Sequence, residues 1–377
     1  MGTDGAGPRK AAELPVKPGM PVREFFRNFA VQAGGVALIL VISMTVMTLL
    51  ALFLSRDPAR TLGFFFLGPL RNAYYIGNMI NGAVPLIFGG LGVSVAMRGG
   101  SFNLGGEGQI YSGAFVTLIA SLALTPLGTA GAVLALLAGM AFAGAAAGFS
   151  GFLKEKWDAN ELITTFLVSN ALILITNYCI TGPFMDPETN LQSTRKISES
   201  WRLPHILPPS NLSAALFFAL AITVLVHLFL YRTRTGYETR LCGINPWFAK
   251  YGGIDTGRST VLVMGISGAL YGLSGGMMVY GNYYAVMKEF SSGMGWNGLA
   301  VALLARSKPA AVIPAAVFFA WIGAGARMAM QFSDVTFELA SVVQSVIFFL
   351  VSSAVLQNLF AAKDTARRRE PPRGEVP

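Results

Sequence analysis

The chain holds 377 residues, of which 53% are hydrophobic and 12% charged, at a mean hydropathy of +0.56. An ordinary soluble domain carries about a quarter charged residues, and a single soluble core of this length needs more polar surface than these residues supply. The composition excludes a soluble fold and predicts an all-α polytopic membrane protein. The net charge of +9 points to nucleic acid if the bases cluster on a soluble face, and to cytoplasmic loops if the chain spans a membrane.

Residues 1–30 are polar and hold Arg9, Lys10, Lys17, Arg23 and Arg27 among prolines and glycines. The apolar run that follows, 31–54, exceeds the 7–15 residues of a signal-peptide core and lacks a small-residue cleavage site. It predicts an uncleaved first transmembrane helix. Further apolar stretches occupy 73–97, 107–124, 129–152, 161–181, 213–231, 260–281, 296–305, 309–330 and 337–360, ten in all, the eighth too short to cross alone. With the N-terminus inside, 20 bases fall on the cytoplasmic side and 8 outside or high in the membrane. That asymmetry predicts both termini in the cytoplasm and accounts for the net charge without nucleic acid.

The expected organisation is a cytoplasmic N-terminal segment, 1–30, a transmembrane domain, 31–360, and a basic cytoplasmic tail, 361–377. Two loops are long. The segment 182–212 carries Pro183, Pro187, Pro204, Pro208 and Pro209, cannot be one helix, and falls outside; the segment 232–259 falls inside and holds five bases. Cys179 and Cys242 lie near opposite faces of the membrane and predict neither a disulfide nor a metal site. His205 and His227 are isolated, no nucleophile motif is present, and no cofactor is expected.

A faint internal repeat is visible. GAVPLIFGGLGVSVAMRGGSFNLGGEGQIYSGAFVTLIA and VMGISGALYGLSGGMMVYGNYYAVMKEFSSGMGWNGLAVALLA each join a glycine-rich helix to a polar turn, a G-x-G-x-x-G-like element and a second small-residue helix. Their spacing gives the copies opposite orientations, as in inverted-repeat transporters with a midplane site. In the first copy, RGGSFNLGGEGQIYSG breaks the apolar pattern. Backbone leaves the helix inside a membrane only when it is buried in protein or lines a watery cavity, so Asn103, Glu107 and Gln109 are expected either to face a cavity or to lie in a cytoplasmic loop, with Glu107 favouring the next helix N-terminus.

These residues also carry a resemblance. FNLGGEGQIYSGAF resembles a motif of the permeases in ATP-binding-cassette importers for nucleosides and simple sugars, a branch of the ribose and branched-chain amino-acid permease superfamily. NELITTFLVSN (Asn160–Asn170) and GINPWFAKYGGI (Gly243–Ile254) are similar to two further segments of that branch in the same order, with Phe248 where a small residue is usual. The resemblance implies a type II importer-like fold and a nucleoside or nucleoside-like solute, with simple sugar or riboflavin as alternatives. It also implies partners: ATPase subunits, a second permease that is identical or related, and an extracytoplasmic substrate-binding protein, all in or at the inner cell membrane with its lipid.

No phosphate-loop sequence of a nucleotide-binding fold is present, so the chain is expected to be a transport subunit and not an enzyme. In 232–259, Asn245 suits an N-cap and Pro246 a first helical turn, with Gly252 and Gly253 ending a short helix. The resemblance makes this the coupling helix, with Gly243, Asn245, Pro246, Trp247, Phe248, Ala249, Tyr251 and Gly252 contacting the ATPase; a basic loop at the lipid surface is the other reading. Asn160 and Glu161 suit a helix start, Thr164 and Thr165 its first turns, and Asn170 and Asn177 one face two turns apart.

An arginine at a helix centre costs about 2.5–3.5 kcal/mol on insertion scales, so Arg327 either snorkels outward or faces a cavity, with Asp334 or Glu338 as candidate partners. Trp296 and Asn297 are expected opposite Phe102 and Asn103, where a ring stacks and an amide bonds a flat ligand; an interfacial anchor is the other reading of Trp296. The substrate path is therefore expected to include Phe102, Asn103, Glu107, Gln109, Asn170, Trp296, Asn297 and Arg327. A secondary transporter, the rival reading, predicts carboxylates deep in the spans, and the sequence has almost none.

Overall fold

The computed structural model describes residues 41–334 except 43 and 54, together with 342, 345, 346 and 349. The elements below lie in one compact unit, Ile42–Ser353; the other, Met1–Val41 with Ala354–Pro377, falls outside the described residues apart from Val41. The expectations for 1–30, 361–377 and Glu338 also lie outside.

The described helices run α1 (Met44–Phe53), α2 (Pro58–Leu67), α3 (Ala73–Arg98), α4 (Gly106–Ala123), α5 (Gly128–Trp157), α6 (Glu161–Thr181), α7 (Ala215–Arg232), α8 (Arg234–Ile244), α9 (Pro246–Tyr251), α10 (Thr256–Met278), α11 (Met294–Leu304) and α12 (Pro309–Phe332). Local chemistry sets many of the starts. The side chains of Asp57, Asn72, Asn160, Asn245 and Asp255 each accept a first-turn backbone N–H, satisfying donors that have no partner within the helix.

Helix α3 is the centre of the unit, 89% buried over its apolar window, whereas α5 and α6 are each 22% buried and α7 28%. The outer helices leave most of their apolar sides to lipid or to another chain. Small residues allow the close contacts. Gly268 and Gly272 of α10 press on the backbone of Ala143 and Gly139 of α5, and Gly90 of α3 lies against Val301 of α11. With no hydrophobic drive between helices in lipid, such close packing is the main source of association.

Six helices among the described residues are long and apolar enough to cross a membrane: α3, α5, α6, α7, α10 and α12. The chain is an all-α polytopic membrane protein, but the expected count of ten crossing helices is not supported. Of the expected first and last stretches, 31–54 is described only from residue 41 and 337–360 at only four positions. The third and eighth stretches form α4, of 18 residues, and α11, of 11. At 1.5 Å per residue α11 is about 16 Å long, half the roughly 30 Å hydrocarbon layer.

Two further elements differ from expectation. Residues 58–67, read as part of a connection, form α2, which packs on α12 through stacked Phe64 and Phe332 rings 5.0 Å apart. Trp321 Nε1 also donates to the Phe66 carbonyl at 3.2 Å. Asp334, offered as a partner for Arg327, instead accepts from Ser55 Oγ at 2.7 Å and from the Arg56 amide at 2.6 Å. The Ser55 hydroxyl first, then the Arg56 N–H, holds the Asp334 carboxyl below its usual range. Because the folded value is the lower one, this tie is complete above the ordinary Asp value of about 3.9 and is lost as pH falls through the folded value. Protection of the Arg56 amide, measured against the intrinsic exchange rate at each pH, is expected to hold at pH 4 and to fall only in stronger acid.

Candidate translocation site

The α3–α4 junction is neither an open cytoplasmic loop nor a cavity wall: Ser101, Asn103 and Gly105 are buried in protein. Buried non-helical backbone requires partners for its polar groups, and the sequence supplies them. Asn103 and Gln109 exchange two amide hydrogen bonds at 2.7 and 3.0 Å, and Asn103 Nδ2 also donates to Ser267 Oγ at 3.0 Å. Asn103 Oδ1 accepts the Gly105 amide at 2.9 Å.

The remaining free amides at the start of α4 turn to α6. Thr165 Oγ1 accepts from the Leu104 N–H at 3.1 Å, and Ser169 Oγ accepts from the Gly108 N–H at 2.8 Å. One helical turn apart, these two hydroxyls join NELITTFLVSN to FNLGGEGQ. Replacing Ser169 by Ala leaves a buried N–H unpaired, a cost of about 1–3 kcal/mol; a lower Tm of the detergent-purified chain is the expected reading.

Helix α4 also holds the second glycine-rich segment. The Glu107 carboxylate accepts from the backbone N–H of Gly293 at 2.9 Å and of Gly295 at 2.8 Å, so it caps α11. Tyr271 donates to the Gly295 carbonyl at 3.3 Å. Four residues beyond Glu107, Tyr111 donates to Asn177 Oδ1 at 2.6 Å and accepts the Glu289 amide at 3.1 Å. Farther along, Ser121 Oγ and Tyr280 OH are 2.8 Å apart. Four side chains thus fix the chain from the end of α10 to the start of α11.

That fixed segment forms one wall of a cavity of about 870 Å³, within the 300–1,000 Å³ range of small-molecule sites. Its lining includes Asn78, Asn81, Pro85, Asn282, Tyr283, Phe290, Trp296, Asn297, Phe319 and Arg327. From Asn78 to Leu86 on α3, and from Phe319 to Arg327 on α12, it extends over nine residues, about 12 Å of helix. Asn211 brings the proline-rich loop into its lining. Three of the amides are engaged: Asn78 Oδ1 accepts the Asn211 N–H at 2.9 Å, and Asn81 Nδ2 donates to Asn282 Oδ1 at 3.3 Å.

Of the residues expected on the substrate path, Trp296, Asn297 and Arg327 come together in this cavity. Phe102, Asn103, Glu107, Gln109 and Asn170 are not in its lining. Asn103 and Gln109 form the buried pair, Glu107 caps α11 from behind, and Phe102 is exposed. Asn170 is exposed and donates to the Phe166 carbonyl of its own helix at 2.8 Å, while Asn177 turns inward to Tyr111. The side chain opposite Trp296 is Phe166, with ring centroids 6.4 Å apart. Asn78, Asn81, Asn282 and Tyr283 were not anticipated; two asparagines three apart in an apolar run were the available signal, since polar groups in a span face protein or cavity.

At the other end of the bundle, 232–259 folds into α8 and α9. Pro246 opens α9, Asn245 Oδ1 accepts the Phe248 amide at 3.0 Å, and Gly252 ends it. Trp247, Phe248 and Tyr251 are exposed, whereas Ala249 is buried. Gly243 lies against the Arg98 carbonyl and the Gly100 backbone so closely that a Cβ would collide with the Arg98 oxygen. The α8–α9 corner therefore rests directly on the α3–α4 junction. On the opposite face the proline-rich loop is joined to the cavity wall: the amides of Thr194, Ile197 and Leu203 donate to the carbonyls of Val286, Tyr284 and Tyr280.

A bundle of membrane-crossing helices around a polar cavity, with a broken helix in its wall, defines a membrane transport component. Residues 75–352 match the family described as branched-chain amino acid transport system / permease component, and the chain belongs to that family. It is 33% identical over 331 residues to a probable riboflavin import permease of Treponema pallidum, covering 87% of each chain. It is 28% identical to a glucose ABC transporter permease of Haloferax volcanii, over 92% of this chain and 90% of that protein. To a guanosine ABC transporter permease of Bacillus subtilis the identity is 31%, over 74% and 82%. No solved structure matches. The chain is thus a permease component of an ABC importer, a transport subunit in a multi-pass membrane protein.

Proposed function

We propose that this permease forms the translocation path for a nucleoside or nucleoside-like solute. The observation that carries the reading is the cavity itself, in which the rings of Tyr283, Phe290, Trp296 and Phe319 stand beside the amides of Asn81, Asn282 and Asn297. Rings stack on a heterocycle and amides bond its edge and its ribose. Relatives named as guanosine and nucleoside permeases support this. A flavin is a second reading, supported by the riboflavin permease relative, and a sugar a third, supported by the glucose relative.

In this reading a binding protein docks on the proline-rich loop, outside the inner cell membrane, and releases its ligand at Asn211. A separate ATPase subunit docks on Trp247, Phe248 and Tyr251 in the cytoplasm. Movement of α9 reaches the cavity through packed contacts: Gly243 on Arg98 and Gly100, the buried 101–105 turn, Glu107, then α11 with Trp296 and Asn297. A second permease, identical or related, completes the pair, with both termini cytoplasmic and ten apolar stretches per subunit, of which α11 enters the membrane without crossing it alone. The inverted repeat is supported by the meeting of its two glycine-rich segments, Glu107 with Gly293 and Gly295, and Gly89 with Gly298.

The test is reconstitution of the permease, its ATPase and its binding protein in liposomes. ATP-dependent uptake of labelled guanosine or uridine is expected, with none when the ATPase is omitted. Uptake of glucose or riboflavin alone under the same conditions moves the assignment to that solute, and uptake driven by an ion gradient without ATPase refutes the importer reading.

A further inference from the structure

Most polar side chains of the cavity are committed to the protein, as Asn78 is to Asn211 and Asn81 to Asn282. Arg327 and Asn297 differ. Both line the cavity, Arg327 is exposed to it, and neither side chain has a hydrogen bond or ion pair to a described residue. Among the described lining residues there is no carboxylate. An arginine has five donors and no acceptor, and in a span it is costly unless it is matched. Its natural complement is therefore a ligand edge made of acceptors only.

Nucleobases differ in that respect. Guanine and hypoxanthine present N7 and O6, two adjacent acceptors that an arginine fork bonds in parallel; adenine presents N7 beside the N6 amino donor, which the same fork opposes. The amide oxygen of Asn297 is free to accept the N1–H and, in guanine, a proton of the 2-amino group. Trp296 and Phe290, in the same wall, supply faces for stacking. We infer that Arg327 and Asn297 form a base-reading pair that makes the cavity selective for 6-oxopurine nucleosides over adenosine. The inference rests on the nucleoside reading above and narrows it.

The permease–ATPase complex in nanodiscs, without the binding protein, isolates this site from upstream selection. Ligand-observed saturation-transfer NMR then compares guanosine, inosine, adenosine, riboflavin and glucose. Guanosine and inosine are expected to bind roughly tenfold tighter than adenosine, a contrast within the range of a bidentate arginine–base pair. Arg327→Met is expected to lower guanosine affinity to that of adenosine and to leave adenosine unchanged, whereas Arg327→Gln, whose amide pairs with N6 and N7 of adenine, is expected to reverse the preference. Arg327→Lys keeps the charge but loses the planar fork; its ammonium still donates to O6 and N7, and the preference is expected to shrink without reversing. Equal binding of guanosine and adenosine by the unsubstituted complex overturns the inference while leaving the nucleoside reading intact. Competition of inorganic phosphate with guanosine also overturns it, because Arg327 is then an anion site. Binding of riboflavin or glucose with no nucleoside overturns the underlying reading itself.

Discussion

Replacing Glu107 by Ala is expected to abolish most transport while leaving the permease folded and bound to its ATPase. The carboxylate accepts two backbone amides at the start of α11, and no other side chain among the described residues caps that turn. Hydrogen bonds to a charged group contribute about 1.5–3 kcal/mol each. Loss of both releases the start of a helix too short to hold itself, and Trp296 and Asn297 with it. Amide exchange at Gly293 and Gly295 is expected to rise together with at least a tenfold fall in uptake. Glu107→Gln, which keeps one acceptor and the shape, is expected to fall between. Unchanged exchange and uptake in Glu107→Ala would show that α11 is held by packing alone.

The double change Trp247→Ala with Phe248→Ala is expected to weaken ATPase association by roughly thirtyfold or more. Aromatic anchors at an interface commonly carry 2 kcal/mol or more each, and 2 kcal/mol is about thirtyfold in affinity. The two rings are 70% and 61% exposed, so the free permease loses little packing and its Tm is expected to hold. Asn245→Ala acts differently, removing the cap of a six-residue helix at a cost of about 1 kcal/mol, and is expected to give a smaller loss with the rings still in place. Binding of the purified ATPase to immobilised permease measures all three; unaltered binding in the double variant would place the ATPase elsewhere.

Much of the local architecture was legible. The caps at Asn160 and Asn245, Pro246 at the start of α9 and Gly252 at its end are short-range signals whose chemistry is complete within four residues. The cavity was only half legible. Trp296, Asn297 and Arg327 line it, but Asn103 and Gln109 face each other instead. A polar residue in an apolar run announces that it must be matched; it does not say whether protein or ligand matches it. Asn177 and Asn170 make the same point, one bonded across helices to Tyr111 and the other to its own backbone.

Composition alone determined that this chain lives in a membrane as a bundle of helices, because so few charges cannot cover a soluble surface. Three ordered motifs carried the family resemblance. Tertiary structure decided which of these equally apolar helices is central: α3 is enclosed while α5 and α6 are mostly open, since lipid and protein interior are alike to an aliphatic side chain and only close contact at glycines distinguishes them. It also decided that α4 starts from a buried turn and that α11 starts from one held by Glu107. Glu107 and the amides of Gly293 and Gly295 lie far apart in the chain, and a hydrogen bond between them exists only once the helices have packed.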